Sequence, residues 1–384
     1  MDLTDEKLIR ELMSVSKGPC LSLYMPTHRS HPDNLRDTIT FKNLVKQLET
    51  SLLQEYSTSD VKKYLEPFEA LGNDADVWNQ TADGMAVFST PDLFKVINLQ
   101  MPVEELVVVA DSLHSKPLRK YLQTVDRYQV LGISLHDMKL FEGNRHSLVE
   151  VELPADFPKT IKEALGEELT EKHSTVASYG GIGGNSSNMH HGHGSKKDEV
   201  DIDAERFFRV SAGYIYEYFS KPSGLPLILA ALPEHHNLFN QVSNNPFLIS
   251  TGIQANYKAI PIDKLTTMVW EVMEPEYFKR LKELADMFEQ AKAKGSGSDN
   301  IEAVAKAAAE GRIETLLIEE GRIIPAKILN NTTGAIQPAD LNDPNVDDLL
   351  DDIGELVTKM GGRVVLIPVE NMPAQTGLAA IFRY

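Results

Sequence analysis

Residues 178–197 form the most unusual stretch of the chain, SYGGIGGNSSNMHHGHGSKK. It is rich in glycine and histidine, has almost no apolar side chain, and shows the hydrophobic period of neither a helix nor a strand. Such a stretch cannot bury itself, so we expect an exposed and mobile loop. Strand-like runs precede it, and a helix-like run at residues 203–216 follows it. The pattern predicts a flexible tip on a rigid base, an arrangement in which loops often carry function.

The residues of this loop by themselves leave two interpretations open, an insertion without chemistry or a phosphate-binding loop. The phosphate-binding loop is disfavoured, because no lysine followed by serine or threonine completes a Walker-type pattern. The imidazoles of His190, His191 and His193 are candidate metal ligands. However, neighbouring histidines on a glycine-rich loop lack the fixed geometry of a catalytic metal site, so neither a metal nor a cofactor is predicted.

The composition narrows the classes of function. The 384 residues are 42% hydrophobic and 24% charged, with a formal net charge of -18 and an isoelectric point near 5.1. This balance disfavours a protein that coats nucleic acid through its whole surface, and DNA is not an expected partner, whereas local RNA contact remains compatible with it. No run approaches the roughly 20 apolar residues of a membrane span. Cys20, the single cysteine, excludes an intramolecular disulfide and indicates a cytoplasmic protein.

The first third of the chain, residues 1–124, predicts an α/β domain. Residues 20–25 alternate as a strand, and residues 84–89 and 93–99 read as a hairpin. Between them, residues 37–53 show helical spacing. The apolar face of that helix is predicted to consist of Ile39, Leu44, Leu48 and Leu52.

The next region, residues 125–260, predicts a middle α/β domain that contains the loop 178–197. Three strand-like runs lead into the loop, and a helix is expected at residues 203–219. The apolar run at 225–231 is typical of a buried parallel strand. His235 and His236 follow that run and are expected at a surface turn.

The last region, residues 261–384, predicts a third α/β domain built as a sandwich. A long helix at 263–292 is expected to break near Pro275, and residues 293–298 have the composition of a linker. A helix at 301–309, a strand at 313–318 and a helix at 349–360 are expected to follow. The acidic residues between 340 and 352 do not match a calcium-binding loop and are expected to form a solvated face.

The order of these segments resembles the class-1 peptide release factors of archaea and eukaryotes and their Pelota relatives, and in particular the bacterial branch of that superfamily. Four stretches carry the resemblance. They are CLSLYMP at 20–26, LFEGNR at 140–145 with VEVELP at 149–154, AVAKAAAEGRIETLLI at 303–318, and GLAAIFRY at 377–384. The resemblance implies three consecutive domains, the last of the kink-turn-binding ribosomal-protein fold.

The resemblance also implies a reactive loop. Gly183, Gly184 and Asn185 fall where the family has a Gly-Gly-Gln sequence that enters the peptidyl-transferase centre, which makes these three residues the candidate catalytic site. Glycine permits backbone conformations closed to other residues, and fixed N–H donors stabilise developing charge strongly. Asn185 keeps the backbone N–H but is one methylene shorter than glutamine. The departure leaves open whether the chain hydrolyses the ester of peptidyl-tRNA.

The family's stop-codon motif, Asn-Ile-Lys-Ser, is replaced here by residues 34–40, NLRDTIT, which argues against stop-codon reading. The resemblance therefore implies a ribosome-associated factor in ribosome rescue or hibernation, with tRNA and rRNA as partners. Candidate RNA-binding residues are His28, Arg29, Arg36, Lys196 and Lys197. Two alternatives are a metal-assisted hydrolase or nuclease that uses the histidines of the loop, and a non-catalytic protein-interaction module.

Overall fold

The computed structural model describes residues 12, 18–29, 33–123, 126–154, 157–166, 194–330, 335–339 and 346–384. Residue contacts divide the chain into two units. The first unit consists of Met1–Val125 and Pro275–Tyr384, and the second of Asp126–Glu274. Among the helices of the described ranges, none has the length and apolar character that a membrane span requires. The division into three domains stays a prediction.

The N-terminal part of the first unit is an antiparallel sheet covered by helices. Its strands are Cys20–Pro26 (β1), Gly84–Thr90 (β2), Leu93–Leu99 (β3) and Leu106–Ala110 (β4), in the order β3-β2-β1-β4. The helices are Asp37–Leu52 (α1), Thr58–Gly72 (α2), Ala75–Trp78 (α3) and Lys116–Leu122 (α4), with a short 3-10 helix at Asp33–Arg36. The predicted strand, hairpin and first helix are confirmed.

Strand β1 is buried on both faces, and the polar residue Ser22 is buried with its apolar neighbours. Because strand side chains alternate, Leu21 and Leu23 pack with helices α1 and α2, while Cys20 and Tyr24 belong to a second cluster. The side chain of Cys20 is fully buried. The prediction for Ile39 is wrong: its side chain is 61% exposed, and Phe41 takes its place on the buried face of α1.

The second unit is a mixed five-stranded sheet. Its strands are Tyr128–Ile133 (β5), Met138–Gly143 (β6), Leu148–Glu150 (β7), Leu227–Ala231 (β8) and Ile253–Gln254 (β9), in the order β7-β6-β5-β8-β9. Strand β8 is parallel to β5 and buried throughout, as the apolar run predicts. The helices are Ile161–Leu165 (α5), Gly194–Ile215 (α6), Lys221–Ser223 (α7) and Pro233–Val242 (α8); a π-helical turn at Tyr216–Ser220 follows α6.

The prediction that His235 and His236 lie at a surface turn is wrong. Pro233 opens helix α8 directly after β8, as proline commonly does at the first helical position, and the two imidazoles are buried. The Nε2 atom of His236 lies 3.0 Å from the carbonyl oxygen of Ile253. Burial lowers the pKa of His235. Both histidines therefore belong to the packing of the second unit.

Close packing at Gly132 gives a direct test of this unit. A Cβ atom on Gly132 would lie 2.6 Å from the ring of Tyr257, whereas one on Gly213, in helix α6, would meet no atom within 4 Å. We expect Gly132→Ala to destabilise the protein by about 1–3 kcal/mol through overpacking. The matched change Gly213→Ala should stabilise it by up to about 1 kcal/mol, because alanine is the better helix former. Urea unfolding followed by circular dichroism measures both, and equal effects would contradict the packing described.

The C-terminal part of the chain begins with a 32-residue helix, Ile262–Ala293 (α9), that contains Pro275. The break predicted near Pro275 is therefore wrong, since a proline removes one backbone donor and bends a helix without having to end it. The predicted linker is wrong in part, because Gly297–Ser298 (β10) pairs with the last strand, through Ile381 and Ala380.

The remaining elements of the first unit form a second four-stranded sheet with two helices. They are Ile301–Ala309 (α10), Ile313–Glu319 (β11), Leu349–Lys359 (α11), Arg363–Ile367 (β14) and Leu378–Phe382 (β15), together with the hairpin Ala326–Asn330 (β12) and Ala335–Pro338 (β13). The sheet order is β10-β15-β11-β14, with β11 parallel to β14. Helices α10 and α11 share one core with these strands. The α/β fold class is confirmed.

Candidate functional site

The base of the glycine- and histidine-rich loop is helix α6. Its buried residues Phe207, Phe208 and Ile215 pack in one core with Leu131 of β5 and Leu229 of β8. The helix thus rests on the two parallel strands at the centre of the sheet. This packing holds the helix axis in place.

Helix α6 begins nine residues earlier than the sequence predicts, at Gly194 instead of Asp203. Lys196 and Lys197 therefore lie in its first turn and not in a loop. The first turn of a helix has unpaired backbone N–H groups and the positive end of the helix dipole. Asp198 and Glu199 follow at once, so the excess of positive charge is confined to this one turn.

The predicted catalytic residues Gly183, Gly184 and Asn185 lie outside the described residues, as do His190, His191 and His193. The structure tests neither the reactive loop nor a metal site in it. It does show that the helix starts directly after this stretch.

The other predicted RNA-binding residues lie near the end of β1. The imidazole Nδ1 of His28 lies 2.8 Å from Asp37 Oδ1, and its backbone N–H donates to Asp37 Oδ2 at 2.8 Å. Arg29 donates to both carboxylate oxygens of Asp83, at 2.8 and 2.7 Å. Arg36 is exposed on the 3-10 helix that precedes α1. The structure therefore gives both His28 and Arg29 a carboxylate partner, and for Arg29 that carboxylate offsets the positive charge that would attract a phosphate.

A second cluster of polar residues was not predicted. Asp347, Asp348 and Asp351 lie at the start of helix α11 and Glu355 lies one turn further along it, and all four are buried. The expectation of a solvated acidic face is wrong for Asp347, Asp348 and Asp351, while Asp340 and Asp343 lie outside the described part of the chain. The carboxylates are buried because four polar residues from 114–119 face them, namely His114, Ser115, Lys116 and Arg119.

The contacts of this acidic cluster are specific. Lys116 Nζ forms an ion pair with Asp348, whose Oδ1 atom also accepts from the backbone N–H groups of Ile324, at 2.9 Å, and Leu350, at 3.2 Å. Ser115 binds both oxygens of Asp351, through its N–H at 2.6 Å and its hydroxyl at 3.0 Å. Asp347, Asp348 and Asp351 thus each have a hydrogen-bond donor from residues 114–116, whereas Glu355 accepts from Lys359 on its own helix.

Proton binding in this acidic cluster is shifted by burial and by charge. Burial alone would lower the pKa of His114, but the charges of Asp347 and Asp351 outweigh it and raise the pKa to about 9. Burial, together with the charge of Asp351, raises the pKa of Glu355 to about 7. The only signal in the sequence is the spacing of Asp348, Asp351 and Glu355, which places them on one helical face beside the apolar residues of α11.

A comparison with known protein families found a match to the middle of the chain. Residues 127–312 match the family described as bacterial archaeo-eukaryotic release factor family 3. The match includes the whole loop, helix α6 and the sheet that supports it. It confirms the resemblance found from the sequence. No protein of curated function matches the chain.

Several solved structures are similar at low identity. An archaeal translation termination factor, aRF1, is 15% identical, with 99% of this chain and 97% of that chain covered and a TM-score of 0.25. Archaeal Pelota, from a model of ribosome-bound Pelota and ABCE1, is 10% identical, with coverages of 100% and 94% and a TM-score of 0.39. Dom34 of S. cerevisiae is 10% identical, with coverages of 99% and 92% and a TM-score of 0.38. At such scores these similarities carry no information on function.

Proposed function

We propose that this chain, whose residues 127–312 match the family described as bacterial archaeo-eukaryotic release factor family 3, is a ribosome-associated translation factor acting in ribosome rescue or hibernation. In this role it presents residues 178–193 to the large subunit or to tRNA. The observation that carries the proposal is the start of helix α6 at Gly194, directly after the loop.

The geometry of helix α6 supports a contact with RNA. Its first turn combines free backbone N–H groups, the positive end of a 22-residue helix and two lysines, Lys196 and Lys197. Phosphates bind well at such an end, and glycine-rich backbone can approach RNA closely. The acidic remainder of the chain limits other contacts with nucleic acid. The proposal does not include ester hydrolysis, because Asn185 is shorter than the glutamine that the family carries.

Sedimentation through sucrose gradients tests the proposal. At low salt we expect the wild-type chain to travel with 50S or 70S particles, and the bound fraction to fall as salt rises, because phosphate contacts release counterions. Deletion of residues 180–193, which leaves the start of helix α6 intact, should reduce the bound fraction severalfold. The double change Lys196→Ala and Lys197→Ala should do so as well.

The matched control removes two positive charges elsewhere. Lys279 and Lys282 are exposed on helix α9, and changing both to alanine alters the net charge by the same amount. Their replacement should leave sedimentation unchanged. A wild-type chain that stays in the top fractions at low salt contradicts ribosome association. Equal binding by the deletion variant contradicts the role given to the loop.

A further inference from the structure

We propose that His114, Asp347 and Asp351 bind one divalent cation, with Zn²⁺ the ion that best fits the donor set. One ligand atom from each residue can be chosen so that the three lie within 4.8 Å of one another. His114 Nδ1 lies 2.8 Å from Asp347 Oδ1 and 3.6 Å from Asp351 Oδ2. Zinc bound by imidazole nitrogen and carboxylate oxygen at about 2.0–2.2 Å separates its ligand atoms by roughly 3.2–3.6 Å. The site is therefore close to the required dimensions.

An unpartnered carboxylate oxygen points to a ligand. Asp347 is only 4% exposed, and its Oδ2 atom has no hydrogen-bond partner. Buried polar atoms in folded proteins nearly always have a partner, and an oxygen without one commonly marks an absent ion or water. The other oxygen of the same carboxylate, Oδ1, already contacts His114. Asp347 can thus supply both oxygens to an ion, which completes four donors with His114 and Asp351.

The charges of the buried acidic cluster favour a divalent ion. Asp347, Asp348, Asp351 and Glu355 are four buried carboxylates, whereas Lys116 and Arg119 are the two buried residues with permanent positive charge that face them. Buried charges are stable only when they are compensated. A divalent cation in place of the proton between His114 Nδ1 and Asp347 Oδ1 would add one positive charge to this cluster.

The candidate ligands are held in place before any ion binds. The backbone of His114 is fixed on both sides by β1, because its N–H donates to Ser22 Oγ at 2.9 Å and its carbonyl accepts from the Tyr24 hydroxyl at 2.7 Å. Ser115 holds both oxygens of Asp351. Such supporting contacts raise metal affinity, since the ligands lose little freedom on binding. His114 also lines a cavity of about 500 Å³.

Metal content of the full-length chain tests the proposal, once the loop histidines are removed as competing ligands. In a variant with His190, His191 and His193 changed to alanine, equilibrium dialysis against Zn²⁺ should give about one ion per chain by mass spectrometry. Adding Asp347→Asn, which keeps the shape of the side chain, should lower the affinity at least tenfold. The matched change Asp352→Asn, at a neighbouring carboxylate outside the three ligands, should leave the ion bound.

Two results would overturn the proposal: a triple-alanine variant that binds no ion, or an Asp347→Asn variant that binds as much. The first result would leave His114 as a protonated partner of the two aspartates. A further measurement needs no change within the site, in case Asp347→Asn does not fold. Zn²⁺ added to the triple-alanine variant should raise the midpoint of thermal unfolding, because an ion that binds only the folded chain stabilises it. An unchanged midpoint would equally count against the site.

Discussion

Replacement of Lys116 by methionine should destabilise the protein by about 3–5 kcal/mol, because it leaves Asp348 as a buried charge without its counter-ion. Lys116 and Asp348 are 5% and 0% exposed. Methionine preserves the length and flexibility of the side chain, so the loss is chiefly electrostatic. The free energy of unfolding from urea titration measures the effect. Lys63→Met is the matched control: Lys63 pairs with Asp60 on the surface of α2, and such pairs contribute at most about 1 kcal/mol.

A double-mutant cycle separates this charge effect from lost packing. Asp348→Asn keeps the Oδ1 acceptor for Ile324 and Leu350 but leaves Lys116 without its carboxylate partner, with the carbonyl oxygen of Arg322 as its remaining acceptor. The double variant has neither charge, so it should be destabilised by clearly less than the sum of the two single changes. Additive effects, or a Lys116→Met variant as stable as Lys63→Met, would show that water or another group compensates Asp348.

The sequence predicts the sheets of this protein well because their signals are local. The hairpin of β2 and β3 can be seen in two apolar runs joined by Thr90, Pro91 and Asp92, and in the structure Gly84 pairs with Leu99 in the expected antiparallel manner. Strand β8 is predicted by an unbroken apolar run and is buried between two parallel neighbours. In both cases the apolar pattern that predicts the strand lies within the residues of the strand itself.

The start of helix α6 could not be predicted in this way. Residues 194–199, GSKKDE, contain no apolar side chain and therefore no hydrophobic period, although the chain is helical there. Periodicity detects only the part of the helix that packs on the sheet, from about Ala204 onward. The candidate RNA contact at Lys196 and Lys197 consequently changes from a loop to the first turn of a helix.

The buried acidic cluster was missed for a different reason. Asp348 and Lys116 are 232 positions apart in the chain, and nothing near either residue indicates its partner. Without that partner, a run of aspartates is rightly expected in solvent, because an uncompensated buried charge is strongly unfavourable. Only the tertiary structure brings the positively charged side chains of Lys116 and Arg119 next to these aspartates. The residues of the candidate cation site therefore lay outside any motif that the sequence could offer.

Replacement of Glu355 by glutamine should change how stability depends on pH. Burial and the charge of Asp351 raise the pKa of Glu355 from 4.5 to about 7, although Lys359 and Arg119 act in the opposite direction. The folded chain therefore holds this proton more tightly than the unfolded chain. Between about pH 4.5 and pH 7 the folded state binds more protons, so stability falls as pH rises through this window. Glutamine does not titrate, so Glu355→Gln removes this pH-dependent loss of stability, which is on the order of 3 kcal/mol.

The difference in unfolding free energy between Glu355→Gln and wild type, measured from pH 4.5 to pH 8, gives this effect directly. As pH rises, the unfolding free energy of Glu355→Gln should increase relative to that of wild type, and the difference should become constant above about pH 7. EDTA in every sample keeps metal binding out of the comparison. Glu314→Gln, at an exposed position of β11, should show no such trend. A constant difference for Glu355→Gln would mean that Lys359 and Arg119 keep the carboxylate charged, and hence that burial does not dominate at the inner face of helix α11.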